Sequence, residues 1–107
     1  MERELTERMA GYIRRGDHYL EEKRFDMAYT AYMDALYTLG AYLIYRDTGL
    51  LLSVGEMMRI LEGRYPEVHR IIVAYEGVTS PGEDTVSSLR RDVERLRGMM
   101  NLPSSEE

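Results

Sequence analysis

The sequence predicts an all-α fold, an up-and-down bundle of four to five helices that opens with a long antiparallel hairpin. Three observations carry this. Apolar residues recur at three- and four-residue spacing along nearly the whole chain, and no stretch alternates with the period of two that a half-buried strand requires. Helix-start signals at Ser53 and Ser80 and helix-stop glycines at Gly49 and Gly77 punctuate these stripes. Finally, Tyr12-x3-Gly16-x2-Tyr19-x5-Phe25-x2-Ala28-x3-Tyr32-x2-Ala35 alternates large rings with very small residues at helical spacing, as closely packed antiparallel helices require.

The first helix is expected from about residue 3 to 22, with Leu5, Met9, Tyr12, Ile13, Gly16, Tyr19 and Leu20 on one stripe and Glu4, Glu7, Arg8, Arg14 and Arg15 opposite. The polar stretch Glu21-Glu22-Lys23-Arg24 is a short connection, and a short connection makes the next helix an antiparallel neighbour. That helix starts near Phe25. Its stripe of Phe25, Ala28, Tyr32, Ala35, Leu36, Leu39 and Leu43 runs to Asp47-Thr48-Gly49, where glycine supplies a left-handed cap. A second apolar set, including Met27, Ala31, Tyr37, Tyr42 and Tyr45, makes its C-terminal half apolar almost all round. Such a helix is central in a bundle or covered by a second subunit.

Ser53-Val54-Gly55-Glu56 reads as a capping box opening a third helix that turns Val54, Met57, Met58 and Leu61 inward. Pro66 disfavours the helical conformation at Tyr65 and suits a first helical position, so residues 54–76 form either two helices or one kinked helix. Ser80-Pro81-Gly82-Glu83 then predicts Ser80 as N-cap, Pro81 at the first helical position and Glu83 closing a second capping box. The last helix carries Val86, Leu89, Val93, Leu96 and Met100, an a/d seam that also offers a surface for self-association. One domain over residues 1–100 is expected, followed by a disordered tail at 101–107.

Composition narrows the function classes. The net charge of -5 opposes general nucleic-acid binding, RNA excepted under the alternative below. Without cysteine there is no thiolate ligand or nucleophile, and Glu67 and His69, two residues apart, point about 200° from each other on a helix, so neither a metal nor another cofactor is expected. No apolar run reaches the roughly 20 residues a bilayer needs, and the charged start is unlike a signal peptide. A soluble, cytoplasmic protein with no membrane association is expected. Nine Tyr against one Phe and no Trp favours half-buried seams and interfaces. Tyr29, Tyr37, Tyr42 and Tyr45 lie off the main stripe of the second helix, which makes them candidates for an interface with a second copy, as a homodimer, or with another protein.

Gly16, Tyr19, Phe25, Ala28, Tyr32 and Ala35 give residues 12–35 a resemblance to one tetratricopeptide hairpin. A second repeat would need Gly-x2-Tyr near position 50, where the chain has Leu50-Leu51-Leu52-Ser53. The long hairpin, the glycine closing its second helix and the helices that follow resemble, more loosely and over the whole length, the HEPN-like helical bundles. The ribonucleases of that family share an Arg-x4-6-His motif, and Arg64-Tyr65-Pro66-Glu67-Val68-His69 is similar to it. That resemblance implies a metal-independent endoribonuclease in which Arg64 stabilises the scissile phosphate and His69 transfers protons at the 2′-hydroxyl. The main expectation is a non-catalytic protein-interaction or self-association module, with ribonuclease or RNA-binding function as the alternative.

Overall fold

The computed structural model describes residues 1–99, which form five α-helices and no strand. They run up and down: α1 (Glu2–Glu21), α2 (Phe25–Thr48), α3 (Val54–Arg64), α4 (Pro66–Glu76) and α5 (Glu83–Met99). Met100, expected on the last seam, and the tail at 101–107 lie outside the described residues.

The hairpin of α1 and α2 is the structural nucleus. α1 ends in a Schellman turn, with the Arg24 N–H donating to Tyr19 C=O at 2.9 Å and the Lys23 N–H to Leu20 C=O at 3.0 Å. Lys23 takes the left-handed position at φ 60°, which glycine usually occupies. Across the hairpin, Ala28, Tyr32, Ala35, Leu36, Leu39 and Leu43 are fully buried, and the Tyr32 ring packs directly on Gly16. The small residues provide the recesses and the ring fills one.

α2 is the axis of the bundle, touching each of the other four helices. This explains why its apolar residues extend almost all round: Met33, Tyr42 and Ile44 are buried as well as the main stripe. Gly40 lets α3 approach closely, since a Cβ there would lie 3.0 Å from a Leu61 methyl. The helix stops at Gly49 (φ 76°), whose N–H donates to Tyr45 C=O at 2.7 Å.

The remaining helices close the core, with local corrections to the sequence reading. Tyr65 (φ -135°, ψ 66°) separates α3 from α4, and Pro66 opens α4 as its first residue. Val86, Leu89, Val93 and Leu96 are fully buried, so the α5 seam is consumed within the bundle and is not a free self-association surface. Val54 does not point inward; it is 57% exposed, because one turn before Met57 the stripe overruns the surface α2 offers. The first capping box forms by half: Ser53 Oγ accepts from the Glu56 N–H at 3.3 Å, but the Glu56 carboxylate takes the Ser53 hydroxyl at 3.0 Å instead of the Ser53 N–H. The second does not form. Gly82 supplies the first carbonyl, to the Val86 N–H at 3.1 Å, and α5 begins at Glu83. Pro81 is instead half-buried beside Phe25 and Met27, which draws Ser80 and Pro81 out of the helix.

Candidate interaction surface

Tyrosine tips tie the helices together. Tyr29, half-buried, donates its hydroxyl to Tyr75 C=O, and Tyr37 donates to Glu76 Oε2 at 2.7 Å. Burial and then the Glu76 carboxylate push the Tyr37 phenol up to about 12. Tyr42 is buried, with the Arg46 guanidinium 5.8 Å from its ring centre, and Tyr45 is half-buried against the core. The four rings singled out in the sequence thus lie mostly under or beside their own neighbours.

Further polar links hold α5. Arg90 grips Asp17 with two hydrogen bonds, Nε to Oδ1 at 2.7 Å and Nη2 to Oδ2 at 3.3 Å, while the Tyr32 hydroxyl donates to the same Oδ1 at 2.5 Å. Burial works against the Asp17 charge, but the hydrogen bonds from Arg90 and Tyr32 outweigh it and hold the carboxyl below its usual range. Tyr75 donates to Asp92 at 2.7 Å, and burial followed by that carboxylate raises its phenol to about 12. An open groove of about 530 Å³ lies there, lined by Tyr75, Ser88, Arg91, Asp92 and Arg95, but Arg95 is engaged by Glu67 at 2.5 Å and Asp92 at 3.6 Å.

Arg64 and His69 sit on either side of the Tyr65 break and turn to different carboxylates. Arg64 Nη2 lies 3.4 Å from Asp47 Oδ2, and His69 Nε2 lies 3.6 Å from Glu62 Oε2. Asp47 is a hub, taking the Tyr65 hydroxyl at 2.6 Å as well, with Arg46 Nε 3.7 Å away. Arg64 therefore helps pin the α3–α4 joint onto the end of α2. Among the described residues no three His, Asp or Glu side chains come together as a metal would require.

What remains unsatisfied is apolar. Leu50, Leu51 and Val54 are 56%, 55% and 57% exposed within one five-residue stretch, where α2 gives way to α3. Leu52 between them turns back, lining a shallow crevice with Leu50, Ala41, Ile44 and Met57. The antiparallel hairpin places exposed Met1 at the same end of the bundle. Elsewhere large exposed apolar side chains, namely Met27, Val73 and Met99, occur singly. Scattered residues of that kind are ordinary on a protein surface, whereas a cluster marks a contact site. Sequence reasoning missed this corner. Its signal was present in Leu50-Leu51-Leu52, an apolar triplet placed after a helix-capping glycine, where a connection is normally polar.

In comparison with known proteins, the chain matches no family model, no curated protein and no solved structure. The fold class rests on the helices themselves: a small all-helical domain, with no described helix long and apolar enough to cross a membrane.

Proposed function

We propose that this protein is a non-catalytic association module whose principal contact surface is the α2–α3 corner formed by Leu50, Leu51 and Val54. The carrying observation is the exposure of these three side chains together on a bundle that otherwise seals its core. Burying each would gain about 2 kcal/mol at the usual area coefficient, a driving force available only to an assembly. The bundle also spends its polar groups internally: no buried side-chain nitrogen or oxygen among the described residues lacks a hydrogen-bond partner. A reaction centre commonly keeps such a group poised for substrate.

The tyrosine face of α2 is a weaker contact candidate, because Tyr29 and Tyr37 spend their hydroxyls on α4 and its end, and Tyr42 is buried. Tyr37 and Tyr45 can extend a contact but offer little apolar area. The test of association places a photocrosslinking amino acid at position 51 and, as control, at the exposed position 14, in cells that express the protein. Adducts specific to position 51 are expected, to another protein or to a second copy. Their absence from position 51, or equal adducts from position 14, would remove the proposal.

A further inference from the structure

The partner's conformation can be read from the backbone of the corner, an inference that rests on the association reading above. Between the glycine that ends α2 and the first turn of α3, residues 50–53 form neither helix nor turn. The chain there is extended. Ser53 has φ -63° and ψ 160°, and Leu50 and Leu52, two residues apart, both line the crevice with Ala41, Ile44 and Met57, while Leu51 between them is exposed. That alternation is the period of a strand, in which successive side chains take opposite faces. This strand has no neighbour. The Leu50 N–H donates to the Thr48 hydroxyl at 3.1 Å, and the Ser53 C=O accepts from the Met57 N–H at 2.9 Å. The N–H groups of Leu51, Leu52 and Ser53 and the C=O groups of Leu50, Leu51 and Leu52 have no hydrogen-bond partner among the described residues. An extended residue presents its N–H and C=O to one edge and its successor presents them to the other, so Leu51 and Ser53 offer one edge and Leu50 and Leu52 the second.

Area and hydrogen bonding together select the occupant. Leu50, Leu51 and Val54, little more than half exposed, offer about 300 Å², well short of the roughly 800 Å² per partner that a stable globular interface buries. A second folded copy is therefore not held by this corner alone. Thr48-Gly49-Leu50-Leu51-Leu52-Ser53-Val54-Gly55 also contains no charged side chain, so nothing within the segment recruits a charged occupant. A docked helix satisfies its own backbone internally and would leave the six main-chain groups unpaired. An extended segment pairs with them and needs little area, because main-chain hydrogen bonds supply much of its affinity. We propose that residues 50–53 bind an extended, uncharged segment of a partner protein by strand pairing, with an aliphatic residue of that segment packed beside Leu51.

The test uses a fluorescently labelled peptide of alternating Val and Thr, and reads binding by anisotropy. Its counterpart carries N-methyl groups on consecutive central residues, which keeps the side chains but removes main-chain donors from both edges. The parent peptide should bind with an affinity insensitive to salt, and the N-methylated one about tenfold more weakly. Leu50→Ser/Leu51→Ser should weaken binding of the parent about tenfold. Val73→Ser, which removes an exposed aliphatic side chain on α4, should leave it unchanged. Amide hydrogen exchange should show new protection in the complex at Leu51 and Ser53 or at Leu52. Circular dichroism verifies that each variant is folded. Equal binding of the two peptides, or protection confined to other residues, would overturn strand pairing, and retained binding in the leucine variant would overturn the site. Preference for a helical peptide of Leu and Gln would overturn the proposal in favour of a docked helix. A mass that doubles with concentration, and does not in the leucine variant, would overturn it in favour of a second copy. Specific crosslinks from position 51 without binding of the Val and Thr peptide would leave association standing and overturn this partner class; absence of both would overturn both.

Discussion

Tyr32 occupies the space that a side chain at Gly16 would need: a Cβ built there lies 2.5 Å from Tyr32 Cε1 and 2.7 Å from Cδ1. The ring has no freedom to retreat, because it is fully buried and its hydroxyl is held by Asp17. Gly16→Ala should therefore destabilise the protein by about 1–3 kcal/mol through overpacking, even though alanine is the better helix former. The contrast is Gly11→Ala on the same helix, where the nearest atom to a new Cβ is Arg14 Nη2 at 3.8 Å. That substitution should stabilise by about 0.5–1 kcal/mol. Urea denaturation of the two variants checks the pair, and a shift of the same sign in both would contradict the packing described.

The Asp17 carboxylate links α1 to α5 through Arg90 and to α2 through Tyr32, so acid should weaken the bundle through this group. Its folded pKa is depressed below the ordinary value near 3.9. The stabilisation is accordingly present above that value and is lost as pH falls through the folded pKa. Both partners keep roughly two-fifths of their side-chain surface exposed, which discounts the charge contribution. Asp17→Asn should cost about 1–2 kcal/mol at neutral pH, mostly in charge-assisted hydrogen bonding. Stability curves of variant and wild type should begin to converge below pH ~4 and meet once the pH has fallen through the folded pKa. A difference that persists unchanged into strong acid would place the effect elsewhere.

Much of the fold was legible in the sequence because close packing writes itself in residue size. Gly16, Ala28 and Ala35 announced the hairpin, and Val86, Leu89, Val93 and Leu96 announced the last helix, since each position answers to a single packing requirement. Helix ends were less legible. Ser53 and Ser80 carry the same spacing to a Glu, yet only Ser53 caps, because Pro81 beside Phe25 and Met27 draws the second motif out of the helix. The tyrosines were ambiguous for a related reason: ring count reveals buried area, but not whether a hydroxyl ends on water, on Glu76 or on another subunit. The exposed corner was hidden by phase. Val54 shares the helical stripe of Met57 and Leu61, and only the finite length of α2 leaves it uncovered.

Alkali should unfasten the tyrosine links in their turn. Tyr37 and Tyr75 ionise only near 12, and Tyr32, desolvated and bonded to Asp17, lies higher still. An unfolded tyrosine ionises near 10, so the stability these groups contribute is fully present below about pH 10 and is lost as pH rises through the folded values. Phenolate absorbance should lag in the native protein relative to the protein in urea. Tyr37→Phe/Tyr75→Phe should make the alkaline loss of stability shallower, at a neutral-pH cost of about 1–2 kcal/mol for two hydrogen bonds. A native titration superimposed on the unfolded one would show that these hydroxyls are free.

The Arg64 and His69 pair permits a decision between binding and chemistry. Arg64 is 58% exposed but lies 3.4 Å from Asp47, and His69 lies 3.6 Å from Glu62, so each group must leave a carboxylate before it can serve a phosphodiester. Each carboxylate would also repel a phosphodiester at close range. Mixed-sequence RNA incubated with the protein in EDTA should stay intact, and Arg64→Ala should act on stability instead. Because Asp47 keeps Tyr65 and Arg46 when Arg64 is removed, that cost should stay below about 1 kcal/mol. Asp47→Ala removes both of its contacts with the α3–α4 joint, Arg64 and Tyr65, leaves the Arg46–Tyr65 hydrogen bond, and should cost about 1–3 kcal/mol. Cleavage that disappears in His69→Ala would instead establish the ribonuclease alternative and assign Asp47 and Glu62 the task of holding its two groups apart until RNA arrives.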